Sequence, residues 1–330
     1  MSMWKGNTKV IVAIVIFMLP FFSLGEDAKI KIAVSMPDFA PIAREIGGDY
    51  VEVDYILPPG MDPHSFSLTK EKMDEIREAN LIIFANSNFL SYEKKIKEVY
   101  GSKEYLDFPD YEKEGATLLS FDGFEENPHG YWLYYDNSMA IAKAMAIKLS
   151  EMTGNEAYFM ERFNEFKEKM ESARNCTIKE SIIAGVYGKK VVAAVPGVCY
   201  IASNYGIDAD EILLSEGSAS VSIEERNRIE KELQSKEYIG IVVPKFMKYA
   251  KAGEIAEDIA RETKSRVIYV KFAMGGNESY ESMFYYNFMQ FISPVEIKEK
   301  KYNGELIILC LALVMFAAFE GGIIYVLWRR

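Results

Sequence analysis

A two-lobed α/β fold with a long connecting helix and a C-terminal transmembrane helix is predicted for this chain, and three observations predict it. Short apolar runs alternate with amphipathic segments between 30 and 86 and again between 189 and 292, the pattern of mainly parallel sheets with flanking helices. Between these regions Phe159, Phe163, Phe166, Met170 and Ala173 recur at steps of four and three, which marks one face of a long amphipathic helix. Finally, 306–328 is apolar apart from Glu320 and is followed by Arg329 and Arg330, long enough to cross a hydrocarbon core of ~30 Å. The expected organisation is a signal peptide (1–25), an N-terminal α/β lobe (26–154), a linking helix (155–184), a C-terminal α/β lobe (185–298) and a transmembrane anchor (299–330).

Each element has its own justification. IKIAVS at 30–35 is an apolar strand, and PDFAPIAREIG after it is a helix ending at Gly47 and Gly48. VEVDYIL at 51–57 is the next strand and runs directly into the loop PPGMDPHSFSLT. SLTKEKMDEIREA is a helix with Ser67 as N-cap and with Met73, Ile76 and Ala79 on one face. LIIFAN at 81–86 is a third strand. After Asn137, the residues Met139, Ala142, Met145, Ala146 and Leu149 fall at helical spacing. Beyond the long helix, KKVVAAV at 189–195 is a strand and YIASNYG a short helix ending at Gly206. Ser222 with Glu225 forms a capping box opening SIEERNRIEKELQS. YIGIVVP and SRVIYVKF are strands, with the helix AGEIAEDIARET between them and the helix SYESMFYYNFMQFI last.

The two ends set a topology. Lys5 and Lys9, an apolar stretch at 10–24, and small Ser23 and Gly25 make up a secretory signal, with cleavage expected near Gly25. The terminal arginines belong on the cytoplasmic side, so both lobes are expected outside, at the cell surface. Glu320 is costly at membrane depth unless it is protonated, close to the interface, or paired with a partner subunit. Acids outnumber bases by 49 to 38, so nucleic acid is not an expected partner. Of three cysteines, Cys310 falls in the membrane stretch, which leaves Cys176 and Cys199 where a disulfide is allowed. Neither has the C-x-x-C spacing of a structural zinc site. There is no nucleophile–base arrangement, no G-x-S-x-G and no phosphate-binding glycine loop, so an enzyme is not expected.

The chain has two histidines. His64 lies in the loop after the second strand, and His129 lies in a Pro/Gly-containing loop before a helix. Such loops, at the C-terminal ends of parallel strands, are where open α/β sheets bind ligands. Were the two to converge, a pair of neutral imidazoles would suit a borderline cation such as Zn²⁺. Asp62 either orients the imidazole of His64 through its other nitrogen or only shapes the turn before Pro63.

Four segments, in order, carry a family resemblance: LPPGMDPHSFSLT with its helix and ANLIIFAN, then NPHGYW, then the long helix, then SRVIYVKFAMGGNESYESMFYYN. Over about 28–297 the chain resembles the solute-binding proteins of ABC importers for zinc, manganese and related metals. That resemblance implies two lobes on a rigid helical backbone, a transition-metal ion as cargo, ABC permease subunits as partners and no catalysis. It implies His64 and His129 as ligands of a divalent metal, zinc first, with manganese and copper as alternatives. The family completes its site from the second lobe, at positions matching Val195 and Phe272 here, and neither side chain can ligate. Three replacements stay open. Cys199 and Met274 would make a soft site, Glu216 or Glu278 could move in, or the cleft has lost high-affinity metal binding and holds a metal weakly or binds something else. A degenerate-site sensor or interaction module of the same fold is the alternative function. A zinc metallohydrolase with an open coordination position is the enzymatic alternative.

Overall fold

The computed structural model describes residues 29–121, 125–214, 221–272 and 278–293. The expected signal peptide and C-terminal anchor lie outside the described residues. Among the described ones, no helix is long and apolar enough to cross a membrane.

In the first lobe β1 (Ile30–Val34), β2 (Val51–Tyr55), β3 (Leu81–Ile83) and β4 (Glu104–Leu106) form one parallel sheet in the order β2-β1-β3-β4. Parallel neighbours need crossover connections, supplied by α1 (Phe39–Gly47), α2 (Lys70–Glu78) and α3 (Ser91–Tyr100). Two more helices follow, α4 (Phe108–Lys113) and α5 (Tyr135–Thr153). Then comes α6 (Glu156–Ile183), whose 28 residues span about 42 Å at 1.5 Å each. The second lobe repeats the plan with β5 (Lys190–Ala193), β6 (Asp208–Ile212), β7 (Tyr238–Pro244) and β8 (Val267–Val270), again all parallel, in the order β6-β5-β7-β8. Its helices are α7 (Val198–Ser203), α8 (Ile223–Leu233), α9 (Lys251–Thr263) and α10 (Tyr280–Ile292).

Two local expectations are corrected. Thr69 rather than Ser67 caps α2, its Oγ1 accepting the Lys72 N–H at 3.2 Å. Residues 66–68 stay out of the helix because Phe66 packs edge-on against Tyr92 and Leu68 packs against the core. The third strand ends at Ile83 rather than Asn86. The amides of Ala85 and Asn86 turn away from the sheet and donate to the Glu93 carboxylate at 2.9 and 2.8 Å. The capping box of Ser222 and Glu225 is present at the start of α8.

The predicted stripe on α6 is buried, from Phe159 through Ala173 and on to Thr177 and Ser181. It packs against α1 and α5 of the first lobe and α10 of the second. As a result one apolar core, from Ile32 to Phe291, runs through both lobes, and a smaller one lies on the other face of the second sheet. Polar ties add to this joint. Lys169 on α6 reaches Glu45 of α1 at 3.2 Å and Glu281 of α10 at 3.3 Å. Asn204 accepts from the Tyr135 N–H and donates to the Leu133 carbonyl, both at 2.8 Å.

Glu93 is fully buried. Burial pushes its carboxyl up from 4.5 to about 7, against the opposing hydrogen bonds from Ser35, Ala85 and Asn86. The folded chain therefore holds this proton more tightly than the unfolded chain. The contribution of Glu93 to stability is expected to be fully present below the ordinary glutamate range and to be lost as pH rises from 4.5 through about 7, by about 3 kcal/mol in all. Urea unfolding at pH 5 and pH 8 measures this, and Glu93→Gln should flatten the difference.

Candidate functional site

Loops from the C-terminal ends of both sheets face each other across a cavity of about 310 Å³. The first lobe contributes Met36–Asp38 after β1, the 57–64 loop after β2, Phe89 and Leu90 after β3, and the loop before α5. The second contributes Val195, Pro196 and Gly197 after β5, Leu214 after β6, Phe246 and Met247 after β7, and Phe272 after β8. This is the crevice where open α/β sheets place their ligands.

Both histidines line it. Each is set by the same local device, an Asx-Pro-His turn. The His64 N–H donates to Asp62 Oδ1 at 3.0 Å, and the His129 N–H donates to Asn127 Oδ1 at 3.0 Å. Asx side chains close such turns by accepting from the backbone two residues on. Asp62 is thus a turn residue, tied by its carboxylate to the backbone of His64. Asn127 does more. Its Oδ1 also lies 3.0 Å from His129 Nδ1. An amide oxygen only accepts, so Nδ1 carries the proton and the ring lone pair sits on Nε2. The Asn127 Nδ2 donates to the Pro196 carbonyl at 2.9 Å, and its own carbonyl accepts from Tyr200 Oη at 2.6 Å. One asparagine therefore fixes the turn, the tautomer and the contact between lobes.

The two imidazole centroids are 5.7 Å apart. With Zn–N bonds of ~2.0–2.1 Å, two rings on one tetrahedral ion have centroids about 5–6 Å apart, so this spacing suits a shared ion. Phe89 presents edge-to-face contacts to both rings, 5.3 Å from His64 and 4.7 Å from His129. His129 is half-buried while His64 is exposed at the cavity mouth.

The second-lobe side of the cavity is apolar. Val195 and Phe272 line it, and Phe272 is seated on two glycines. A Cβ at Gly197 would come within 2.3 Å of the Phe272 ring, and one at Gly130 within 2.9 Å. Gly130 also has φ of 69°, which favours glycine independently. Among the described residues, no group of three His, Cys, Asp or Glu side chains is placed to hold a metal.

The other candidate ligands separate. Cys199, the proposed soft donor, is not among the described cavity-lining residues. It is buried in α7, and burial pushes its thiol up to about 12. Cys176 is exposed, and both are free thiols rather than a disulfide. The Glu278 carboxylate is held by the Lys271 ammonium and is outside the described lining. Glu216 and Met274 lie outside the described residues. Sequence reasoning missed Asn127, Phe89 and buried Asp38, all part of the site or its support. The repeated triplet, Asp62-Pro63-His64 and Asn127-Pro128-His129, was the available signal for Asn127.

Comparison with known proteins agrees with this architecture. The profile of the family described as ZnuA, zinc-uptake complex component A, periplasmic, matches residues 32–293. The manganese ABC transporter substrate-binding lipoprotein PsaA of Streptococcus mitis is 28% identical over 152 residues, 43% of this chain and 48% of that protein. PsaA of Streptococcus pneumoniae TIGR4 is 24% identical over 192 residues, 54% of this chain and 60% of that protein. The chain thus spans about half to three-fifths of these relatives' length. A ZnuA crystal structure superimposes with a TM-score of 0.66 at 18% identity, covering 80% of this chain and 98% of that one. The Mn²⁺ complex of FpvC from Pseudomonas aeruginosa gives 0.65 at 14% identity, covering 80% and 97%. A match over 32–293, together with this fold, places the chain in the zinc-uptake complex component A family.

Proposed function

We propose that this chain is an exported receptor that captures a transition-metal ion, zinc first and manganese as the alternative, and hands it to the permease of an ABC importer. One observation carries the reading: the two histidines of the chain, 65 positions apart, share one interlobe cavity with ring centroids 5.7 Å apart. Relatives named as metal or manganese ABC transporter lipoproteins support the cargo class. His64 and His129 are the proposed ligands. Glu216 or Met274 would be added only if their segments turn into the cavity. The apolar character and terminal arginines of 306–330 support a surface location with a C-terminal membrane tether. Zinc and manganese titrations of the purified chain, with elemental analysis of what it carries on isolation, test the reading. One metal per chain is expected, and no binding of either ion refutes it.

The apolar second-lobe wall favours one rival, a sensor or interaction module of the same fold, which would show no metal-dependent change in melting temperature.

Asn127 gives a finer test. Asn127→Ala should weaken zinc binding about 10–100-fold, the usual cost of losing a ligand's orienting partner, and lower stability by about 1–3 kcal/mol. Asn127→Asp keeps the acceptor for the backbone N–H and the Nδ1–H of His129 but cannot donate to Pro196. It should recover affinity without recovering stability, as read by titration and urea unfolding.

A further inference from the structure

We propose that the cavity takes its metal as a complex with a small, flat, apolar bidentate chelator. The chelator would supply two donors, and His64 and His129 the other two. This inference rests on the reading of those histidines as ligands and concerns what arrives with the ion.

Coordination number is the first argument. A tetrahedral zinc needs four donors, and the described lining offers two imidazoles, with Asp38 and Asp62 as its ionisable side chains besides. Neither carboxylate joins both histidines in a group placed to hold a metal. An ion arriving with two donors already attached exchanges two waters for two imidazoles and is complete.

Space is the second argument. A zinc ion with two waters occupies roughly 60–70 Å³ at about 30 Å³ per water, whereas the cavity holds about 310 Å³. The remainder faces Val195, Pro196, Leu214, Phe246 and Phe272. Water against that wall would find few polar partners. At this volume the cavity falls at the small end of organic-ligand pockets, which are mostly apolar with a few polar groups.

Shape is the third. The Phe246 and Phe272 rings stand 6.1 Å apart at 64° and line the same cavity as Phe89 and the histidines. Aromatic faces and edges of this kind suit a flat heteroaromatic ring. Phe272 is a built wall, because Gly130 and Gly197 leave the room its ring needs.

The test uses the full chain in detergent and compares Zn²⁺ alone, 2,2′-bipyridine alone, and the 1:1 Zn²⁺–bipyridine complex by calorimetry. The complex should bind at least tenfold more tightly than Zn²⁺, bipyridine alone should not bind, and His64→Ala should abolish binding of the complex. Phe272→Asp should reverse the order by giving the bare ion a carboxylate and removing the aromatic wall; Val195→Asp serves if that variant does not fold. Bare Zn²⁺ binding as tightly as the complex, in a His64-dependent manner, overturns the chelate inference and leaves the receptor reading standing. Bipyridine binding without metal overturns the inference as well. Binding of neither zinc form overturns both.

Discussion

His129→Ala is expected to weaken zinc binding by more than about a hundredfold, since disturbing a ligand's orienting partner alone costs about 10–100-fold. His64→Ala should weaken it comparably, because the two rings, 5.7 Å apart, would share one ion and are the two imidazoles of the described lining. Cys199→Ser should leave affinity unchanged, because the thiol lies outside that lining and burial holds it protonated. Competition titration against a chromogenic chelator reads all three. A Cys199→Ser loss as large as that of His129→Ala would remove the histidine pair from the centre of the site.

Phe166→Ala is expected to cost about 3–5 kcal/mol, the range for deleting a buried aromatic. The ring is fully buried on α6 and packs 6.2 Å from Tyr280 of α10, while the same helix face meets α1 and α5. Since one core runs through both lobes, the loss should appear in a single unfolding transition, with intrinsic fluorescence and far-UV circular dichroism coincident. Two separated transitions would show that the lobes fold independently.

Much of this architecture is legible in the sequence where burial is two-sided. β7 and β8 are nearly continuous apolar runs, and β1 is apolar apart from Lys31, as strands buried on both faces are. The α6 stripe is legible because a 28-residue helix repeats its face many times over. β4 and β6 were not legible, and the reason is composition. Glu104-Tyr105-Leu106 is only three residues long, and Asp208–Ile212 is mostly charged, a pattern that edge strands tolerate. The short helices α3 and α4 were missed too, since their apolar faces are only a few residues each.

The site divides in the same way. Two histidines in a chain of 330 residues draw the eye, and their loops follow strands or precede helices in recognisable order. Their neighbours do not stand out. Phe89 reads as an ordinary apolar residue until the fold turns its edge toward both imidazoles. Asp38 opens α1 like any helix-start acid, yet it is 1% exposed in the cavity lining. The apolar wall is the opposite case. Val195 and Phe272 were legible as non-donors, while the volume they enclose required the structure.

The asymmetry between the histidines has a kinetic consequence. His129 is anchored through Asn127 to the carbonyl of Pro196 in the opposite lobe, so it cannot recede without breaking that tie. His64 rides on an exposed loop at the mouth. Cargo held between them would depart by shedding His64 first and His129 last, so its dwell time would be governed by one surface loop. A permease collecting that cargo would need to displace only the 58–69 segment, leaving the shared core of the two lobes undisturbed.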